Sequence, residues 1–142
     1  VHEVFHQSRL YIGGIFEDDS YKAKFRERAG YVTCLGWLDE AEKDKYLKEC
    51  GILVLPSYFE GFSLSTLEAQ CTGLRCVVSK FIPDTAAVTD LVTRLPLKKK
   101  VWVEKIKASF SGYIRSDRKD ELVLKGYDTC GFIKALEEKY AQ

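Results

Sequence analysis

The sequence predicts an α/β fold, a Rossmann-like parallel sheet flanked by helices, and three observations support this class. Short apolar runs of strand length recur along the chain, as at residues 10–12, 52–55 and 76–78. Segments with helical spacing separate these runs, which favours parallel strands joined by crossovers. Glycine or proline closes most of the segments. The sequence shows no internal repeat, no low-complexity segment and no domain boundary, so we expect one domain over residues 1–142.

The composition is that of a globular protein with a core, since 46% of the 142 residues are apolar and 30% are charged. The net charge of +1, from 22 basic and 21 acidic residues, gives no electrostatic reason to expect a nucleic-acid partner. The apolar runs are too short for a membrane span. The first residues do not have the order of a signal peptide, so we expect a cytoplasmic protein.

Five cysteines are scattered through the chain without the spacing of a disulfide framework or a C-x-x-C pair. An odd number in this arrangement is typical of free thiols in a reducing compartment. Cys34 and Cys76 fall in apolar, strand-like runs. Because free cysteine is commonly buried, we interpret the cysteines as structural thiols rather than as metal ligands or nucleophiles.

The first third of the chain is expected to contain a helix end, two strands and two helices. Residues 1–8 have the pattern of a helix that begins upstream of this sequence. Ser20 and Asp39 are the expected N-caps of the two complete helices. In chain order the predicted elements are strand 10–12, helix 21–28, strand 31–35 and helix 40–50.

Residues 52–80 form the unit around which the chain is organised. Pro56 ends its first strand, a helix covers residues 64–71, and Gly73 ends that helix before a second strand. This order is a βαβ unit of a parallel sheet, and ligands of open parallel sheets bind at the carboxyl ends of the strands. The loop at residues 58–63 lies at such an end, so it is the first candidate for a site.

The last part of the chain has a less regular pattern. Pro96 cannot donate a ladder hydrogen bond, so the strand that contains it is expected at an edge or an end. Trp102 is expected to pack on the core from one face of a helix. In chain order the predicted pieces are an irregular or short helical piece at 85–91, a strand at 93–97, a helix at 98–109, a linker or turn at 112–118 and a helix within 120–140.

Two glutamates frame the candidate loop and the helix that follows it. Glu60 lies in the loop and Glu68 about one turn into the helix, with seven residues between them, so both carboxylates can reach one cleft. The N–H groups of residues 62–64 are expected to be free at the helix N-terminus, which predicts an anion site. Gly61 lets a ligand approach the backbone. Carboxylates for hydroxyl groups beside donors for phosphate suit a sugar nucleotide.

The same residues also allow a purely structural interpretation. Ser65 and Glu68 match the S-x-x-E capping box, in which the glutamate bonds back to the start of its own helix. Glu60 would then be a solvated loop residue. The spacing alone leaves both interpretations open.

The E-x7-E motif in this setting resembles the donor-site signature of retaining glycosyltransferases of the GT-B fold, in the large family 4. The resemblance extends over nearly the whole chain from residue 10 and includes features of members that build bacterial capsular polysaccharides or exopolysaccharides. The frame around the two glutamates makes the match more specific than the bare motif. The matching segments are 36–38, 56–57, 60–64, 67–69, 73–74, 77–79, 89–92, 95–97 and Trp102.

This resemblance implies a role for each site residue. Glu60 would be the catalytic residue near the transferred sugar, holding its hydroxyls and stabilising the developing oxocarbenium charge, and Glu68 would bind the ribose hydroxyls. Trp37 and Leu38, in a turn after the second strand, would lie beside the base. Such enzymes use a nucleoside-diphosphate sugar as donor and need no cofactor or metal for the transfer step. The diphosphate and the sugar would contact the backbone of Gly61, Phe62, Ser63 and Leu64.

The family pattern also implies parts that would precede Val1. These are the N-terminal acceptor domain and a first βα unit, which carries an Arg and a Lys that neutralise the diphosphate leaving group. We therefore expect the first strand of the GT-B half to be missing and the chain on its own to be inactive. Arg75 stands where many relatives have proline, and Lys80 stands where many have an acidic residue.

The sequence thus predicts the C-terminal, donor-binding half of an enzyme that transfers a sugar from a nucleoside-diphosphate sugar to a glycan or lipid-linked acceptor, with retention at the anomeric carbon. The alternatives are a nucleotide-sugar-binding module without transfer activity and a nucleotide-sugar epimerase of the GT-B type. The lysines at 98–100 are either a solvated helix start or a peripheral contact of the full-length enzyme with the inner face of the plasma membrane.

Overall fold

The computed structural model of the chain describes residues 7–15, 25 and 30–128. The chain divides into two compact units, Val1–Tyr46 and Leu47–Gln142, and each is described by itself. The strands are parallel and helices flank them, so the predicted α/β class is confirmed. The prediction of a single domain stays a prediction.

The first unit contains a two-stranded parallel sheet. Strand β1 (Leu10–Gly13) pairs with β2 (Val32–Gly36), and the N–H of Gly14 donates to the carbonyl oxygen of Gly36 at 2.7 Å. Both strands lie within one residue of their predicted positions. The helices predicted at 1–8 and 21–28 fall, apart from residues 7, 8 and 25, outside the described residues.

Helix α1 (Glu40–Glu49) begins at a capping box in the first unit. Asp39 accepts a hydrogen bond of 2.8 Å from the N–H of Glu42 through its Oδ1 atom. The carboxylate of Glu42 accepts one of 3.1 Å from the N–H of Asp39. Two N–H groups that the helix itself cannot satisfy are thereby paired, and Asp39 is confirmed as the N-cap.

The second unit contains a three-stranded parallel sheet in the order β3-β4-β5. Its strands are β3 (Leu53–Leu55), β4 (Cys76–Ser79) and β5 (Val92–Leu95). All four residues of β4 are buried, as expected for a central strand covered on both faces. Strand β5 ends one residue before Pro96, so the proline needs no place in the ladder.

Three helices complete the second unit, together with a short 3-10 helix at Asp84–Ala86. They are α2 (Leu64–Cys71), α3 (Lys99–Ala108) and α4 (Lys119–Leu124). Helix α2 has the predicted bounds, and α3 is one residue shorter than predicted at each end. Helix α4 begins one residue before the range that was predicted to contain a terminal helix. Gly126, with φ at +82°, follows its end, and residues 129–142 lie outside the described residues.

The core of the second unit lies between α2 and the sheet, and it contains a polar centre. Gln70 is fully buried, and its amide nitrogen donates to the carbonyl oxygens of Thr66 and Ala86 at 2.9 and 2.8 Å. Its amide oxygen accepts from the N–H groups of Val88 and Thr89 at 3.0 and 2.9 Å. The side chain therefore ties the segment after the 3-10 helix to α2. The apolar cluster around it consists of Ala69, Leu74, Cys76, Val78, Ile82 and Ala86.

The three strands of this sheet begin at one edge, which we call the amino edge. The C-terminal ends of helices lie at this edge. Helix α2 ends in a Schellman motif, in which Gly73 has φ at +71° and the N–H of Leu74 donates to the carbonyl oxygen of Ala69 at 2.8 Å. Arg115 binds carbonyl oxygens at the ends of both α1 and α2. Its acceptors are Leu47, Lys48, Cys50 and Thr72.

No helix in the described part of the chain has both the length and the apolar content needed to cross a membrane.

Candidate functional site

The loop between β3 and α2 leaves the sheet of the second unit at its carboxyl edge, where the three strands end. The hydroxyl of Ser79, the last residue of β4, donates to the carbonyl oxygen of Ser57. The hydroxyl of Ser57 donates to the carbonyl oxygen of Phe59 at 2.8 Å. The base of the loop is thus fixed to the neighbouring strand, while the side chains of Tyr58 and Phe59 are 80% and 84% exposed.

Helix α2 begins at this edge with Ser63 as its N-cap. The Ser63 side chain is buried and makes a hydrogen bond of 2.7 Å with the Thr66 hydroxyl, so it caps no backbone N–H. Within the described residues no acceptor bonds the N–H groups of Phe62 and Ser63. The first turn of α2 contains no acidic residue. The positive end of the helix dipole therefore stays available to an anion.

The predicted anion site needs one correction. The N–H of Leu64 was expected to be free, but it donates to the carbonyl oxygen of Phe62 at 3.1 Å because the chain turns tightly before the helix. The donors that remain are those of Phe62 and Ser63. They follow Gly61, which is exposed and has open space where a Cβ would be.

Glu60 is half-buried in the loop, and no hydrogen bond or ion pair joins its carboxylate to any residue in the described ranges. Glu68 is the fifth residue of α2; it is half-buried as a residue, and its Oε2 atom is buried. One carboxylate therefore belongs to the loop just before the free N–H groups, and the other lies one turn along the helix. Carboxylate oxygens are acceptors for the hydroxyl groups of a sugar or a ribose.

The capping-box interpretation of Ser65 and Glu68 is wrong. The N-cap of α2 is Ser63, and Ser65 is already the second residue of the helix. A glutamate three residues after Ser65 therefore lies beyond the first turn and cannot close a box at the helix start. Both serines precede an apolar stretch, so the sequence does not distinguish them.

Trp37 and Leu38 belong to the first unit, where they follow β2. The Trp37 side chain is 77% exposed. Leu38 is half-buried and packs against Gly13, at which a Cβ would lie 3.1 Å from the leucine Cδ1 atom. The exposed indole can thus contact a ligand, whereas the Leu38 side chain is part of the packing of the first unit. Their predicted role beside a base stays a prediction.

The lysines at the carboxyl edge were not predicted to belong to the site. Lys80 directly follows β4, and the lysines at 98–100 mark the start of α3, three residues after β5. All four are exposed. Lysines in the first turn of a helix are repelled by the positive end of the helix dipole. This unfavourable placement is the sequence signal that could have identified them as site residues.

Two cavities of about 250 and 240 Å³ lie at the amino edge, away from the loop. Both are lined by Arg75, Ser109 and Tyr113. The Arg75 guanidinium donates to the carbonyl oxygen of Ser109 and lies 4.6 Å from the centroid of the Tyr113 ring. Arg75 thus satisfies the C-terminal end of α3 and has a packing role.

Comparison with known proteins gives a family. A family model described as "Glycosyl transferases group 1" matches residues 1–111. A protein of Bacillus subtilis (strain 168) that carries the name glycosyltransferase EpsF is 36% identical over 94 residues, which cover 63% of this chain and 24% of the relative. No solved structure gives a significant match.

A second relative, from Escherichia coli, is named UDP-Gal:alpha-D-GlcNAc-diphosphoundecaprenol alpha-1,3-galactosyltransferase. It is 49% identical over 48 residues, which cover 34% of this chain and 12% of the relative. The chain therefore matches about a quarter or less of the length of each of these two proteins.

Proposed function

The chain belongs to the group 1 glycosyl transferases, and on this premise we propose that it is the donor-binding part of a retaining enzyme of the GT-B type. The enzyme would transfer a sugar from a nucleoside-diphosphate sugar to a glycan or lipid-linked acceptor. One observation carries the proposal: the Glu60 carboxylate, without a partner in the described residues, lies in the loop that leads to the open N-terminus of α2. The loop therefore offers a carboxylate that can accept hydrogen bonds from sugar hydroxyls, beside N–H groups that can donate to a phosphate.

The diphosphate would bind at the N-terminus of α2. The N–H groups of Phe62 and Ser63 would donate to its oxygens, and the helix dipole would add to their attraction. The Gly61 backbone would lie against the ligand because it has no Cβ. Charge that develops on the leaving diphosphate is stabilised best by donors that are already in position, which is what a rigid helix start provides.

The two glutamates would hold the two sugar rings of the donor. Glu68 would accept hydrogen bonds from the ribose hydroxyls, and Glu60 would accept them from the hydroxyls of the transferred sugar. In the transition state the anomeric carbon gains oxocarbenium character, and the negative charge of Glu60 would stabilise it. Glu60 is the proposed catalytic residue, and no metal or cofactor is needed for these roles.

The acceptor and the rest of the enzyme are also part of the proposal. The E. coli relative is named for transfer to a GlcNAc-diphosphoundecaprenol, which supports a lipid-linked acceptor for this protein too. An acceptor domain and a diphosphate-binding Arg and Lys would precede Val1, and the enzyme would act in the cytoplasm or at the inner face of the plasma membrane. The family match does not favour the alternatives of a transfer-inactive binding module or an epimerase.

Calorimetric titration with UDP, GDP and their sugar conjugates tests the donor site. We expect weak binding of one nucleotide series to this chain and at least a tenfold loss in Glu68→Ala. Glu104→Ala, an exposed glutamate on α3, is the control and should bind as the wild type does.

The titration should be repeated on the full-length protein. Binding there, but not to this chain alone, would place the missing affinity in residues outside this chain. Absence of binding to the full-length protein would overturn the proposed function.

A further inference from the structure

Lys80 lies at the centre of the carboxyl edge of the second unit. It follows β4, the middle strand, and its own N–H donates to the carbonyl oxygen of Leu95 at 2.8 Å. The preceding residue, Ser79, bonds Ser57 at the base of the candidate loop. The backbone is thus held on both sides, and the side chain starts between that loop and the residues that lead into α3.

The charge of Lys80 has no anionic partner in the part of the chain that the structure describes. Its ammonium lies 5.1 Å from the centroid of the Phe81 ring, which orients the side chain without neutralising it. The nearest acidic residue along the chain, Asp84, forms an ion pair with Arg94. The cation is therefore available to a ligand.

A second observation also indicates an anionic ligand at this edge. Lys98, Lys99 and Lys100 occupy the N-cap and the start of α3, and the first turn contains no acidic residue. Helix N-termini are normally stabilised by acidic residues, so this order is the unfavourable one for the helix alone. Together with the open start of α2, these lysines add positive charge to the carboxyl edge.

We propose that Lys80 is a donor-binding residue that contacts an anionic oxygen of the nucleotide sugar and so helps to select the donor. This inference rests on the proposed function. The oxygen belongs either to the diphosphate or to a carboxylate on the transferred sugar, as in a uronic acid. Both present the same chemistry to an ammonium group, a charge-assisted hydrogen bond to an oxyanion.

Three ligands distinguish the two sources: the nucleoside diphosphate, its neutral hexose conjugate and its uronic acid conjugate. Each is titrated against the wild type, Lys80→Gln and Lys80→Arg, in the protein form that binds nucleotide. If Lys80 contacts the diphosphate, Lys80→Gln should bind all three ligands about tenfold more weakly. If it contacts the carboxylate, only the affinity for the uronic acid conjugate should fall. Lys80→Arg should restore most of the affinity, because it keeps the charge.

Two controls make the result specific. Lys107→Gln removes a lysine from the last turn of α3, near the opposite edge, and should leave all affinities unchanged. The salt dependence of binding should become less steep in Lys80→Gln but not in Lys107→Gln. If Lys80→Gln binds each of the three ligands as tightly as the wild type does, the proposal for Lys80 is overturned while the donor site itself still stands. A full-length wild-type protein that binds no nucleotide would overturn the donor site and, with it, this inference.

Discussion

The Nε–H of Arg115 donates a hydrogen bond of 2.6 Å to the carbonyl oxygen of Thr72, the residue at the C-terminal end of α2. The same guanidinium donates to the carbonyl oxygens of Lys48 and Cys50, at 2.7 and 3.2 Å, at the end of α1. Helix ends leave carbonyl groups without partners in the helix, and they carry negative partial charge. One cation therefore satisfies two helix ends at once and fixes the segment around residue 115 to the amino edge.

Arg115→Ala should lower the free energy of unfolding by about 2–4 kcal/mol, because several charge-assisted hydrogen bonds to carbonyl groups at two helix ends are lost. Arg115→Lys should recover only part of this, since an ammonium cannot reproduce the planar set of donors. Urea unfolding followed by circular dichroism measures both. A change below about 0.5 kcal/mol in Arg115→Ala would show that water replaces the guanidinium without cost.

Gly73→Ala should be among the most destabilising single changes in the second unit. A Cβ at this position would overlap the carbonyl oxygen of Ser116, and φ is +71°. We expect a loss of about 3 kcal/mol or more from the clash and the left-handed backbone together. Gly51→Ala is the matched control, because open space surrounds Gly51 and its φ is not positive. It should change the stability by less than about 1 kcal/mol, and a similar loss in both variants would contradict the structure.

Gln70→Leu keeps the volume of the side chain but removes all its hydrogen bonds. The N–H groups of Val88 and Thr89 and the carbonyl oxygen of Ala86 would lose a buried partner. A loss of about 3–5 kcal/mol in thermal or urea unfolding is expected, because each orphaned group costs about 1–3 kcal/mol. Thr89→Val, which removes the hydroxyl bond to Gln70 and the bond that the hydroxyl accepts from the N–H of Leu91, should cost less. The opposite order would show that the polar centre is not cooperative.

The cysteines should differ in reactivity. Burial raises the pKa of the Cys76 thiol to about 12, and burial is also the largest cause of the raised pKa values of Cys50 and Cys71. Cys34 is exposed, contrary to the prediction of a buried thiol. Iodoacetamide at pH 8 should label Cys34 before Cys50 and Cys71, and Cys76 only after unfolding, as peptide mass spectrometry would show. Early labelling of Cys76 would contradict its burial.

The same thiol gives a dependence of stability on pH. The pKa of Cys76 is raised in the folded state, from 9.0 to about 12, so the unfolded chain ionises first. The contribution of the Cys76 thiol to the free energy of unfolding is present in full below pH 9 and is lost as the pH rises toward 12. Cys76→Ala should therefore unfold with a weaker pH dependence in this window than the wild type.

Glu60→Gln tests the catalytic role in the full-length protein. The amide keeps the size of the side chain but not the charge that would stabilise the oxocarbenium-like transition state, so we expect kcat to fall about 100-fold or more. The affinity for the donor should change much less. Transfer of radiolabelled sugar and calorimetry on the same preparation separate the two quantities. A normal kcat would remove Glu60 from the catalytic site.

Local signals in the sequence were sufficient for most of the second unit. Helix α2 was predicted with its observed bounds, because Pro56 and Gly73 mark the ends of the segments around it. Arg115 could not be predicted, since its acceptors lie 43 to 68 positions away along the chain. The exposure of Cys34 could not be predicted either, because an apolar run does not indicate which face of a strand is covered by another element.

The candidate site was predictable in its residue types but not in its hydrogen bonds. The positions of Glu60 and Glu68 follow from the loop and the helix alone. Whether the N–H of Leu64 is free depends on how the chain turns before the helix. The sequence also allowed either Ser63 or Ser65 as the N-cap. The lysines at the carboxyl edge come together only when β4 and β5 pair.

The contacts at the amino edge determine where this protein can be cut for recombinant expression. The family match ends at residue 111. Beyond it, the Tyr113 hydroxyl donates to the carbonyl oxygen of Gly73 at 2.7 Å, the N–H of Arg118 donates to that of Cys71 at 3.0 Å, and Leu122 is 1% exposed. A gene fragment designed from the match alone would leave an apolar surface uncovered, and its product is expected to collect in inclusion bodies. The shortest useful fragment extends past Tyr127.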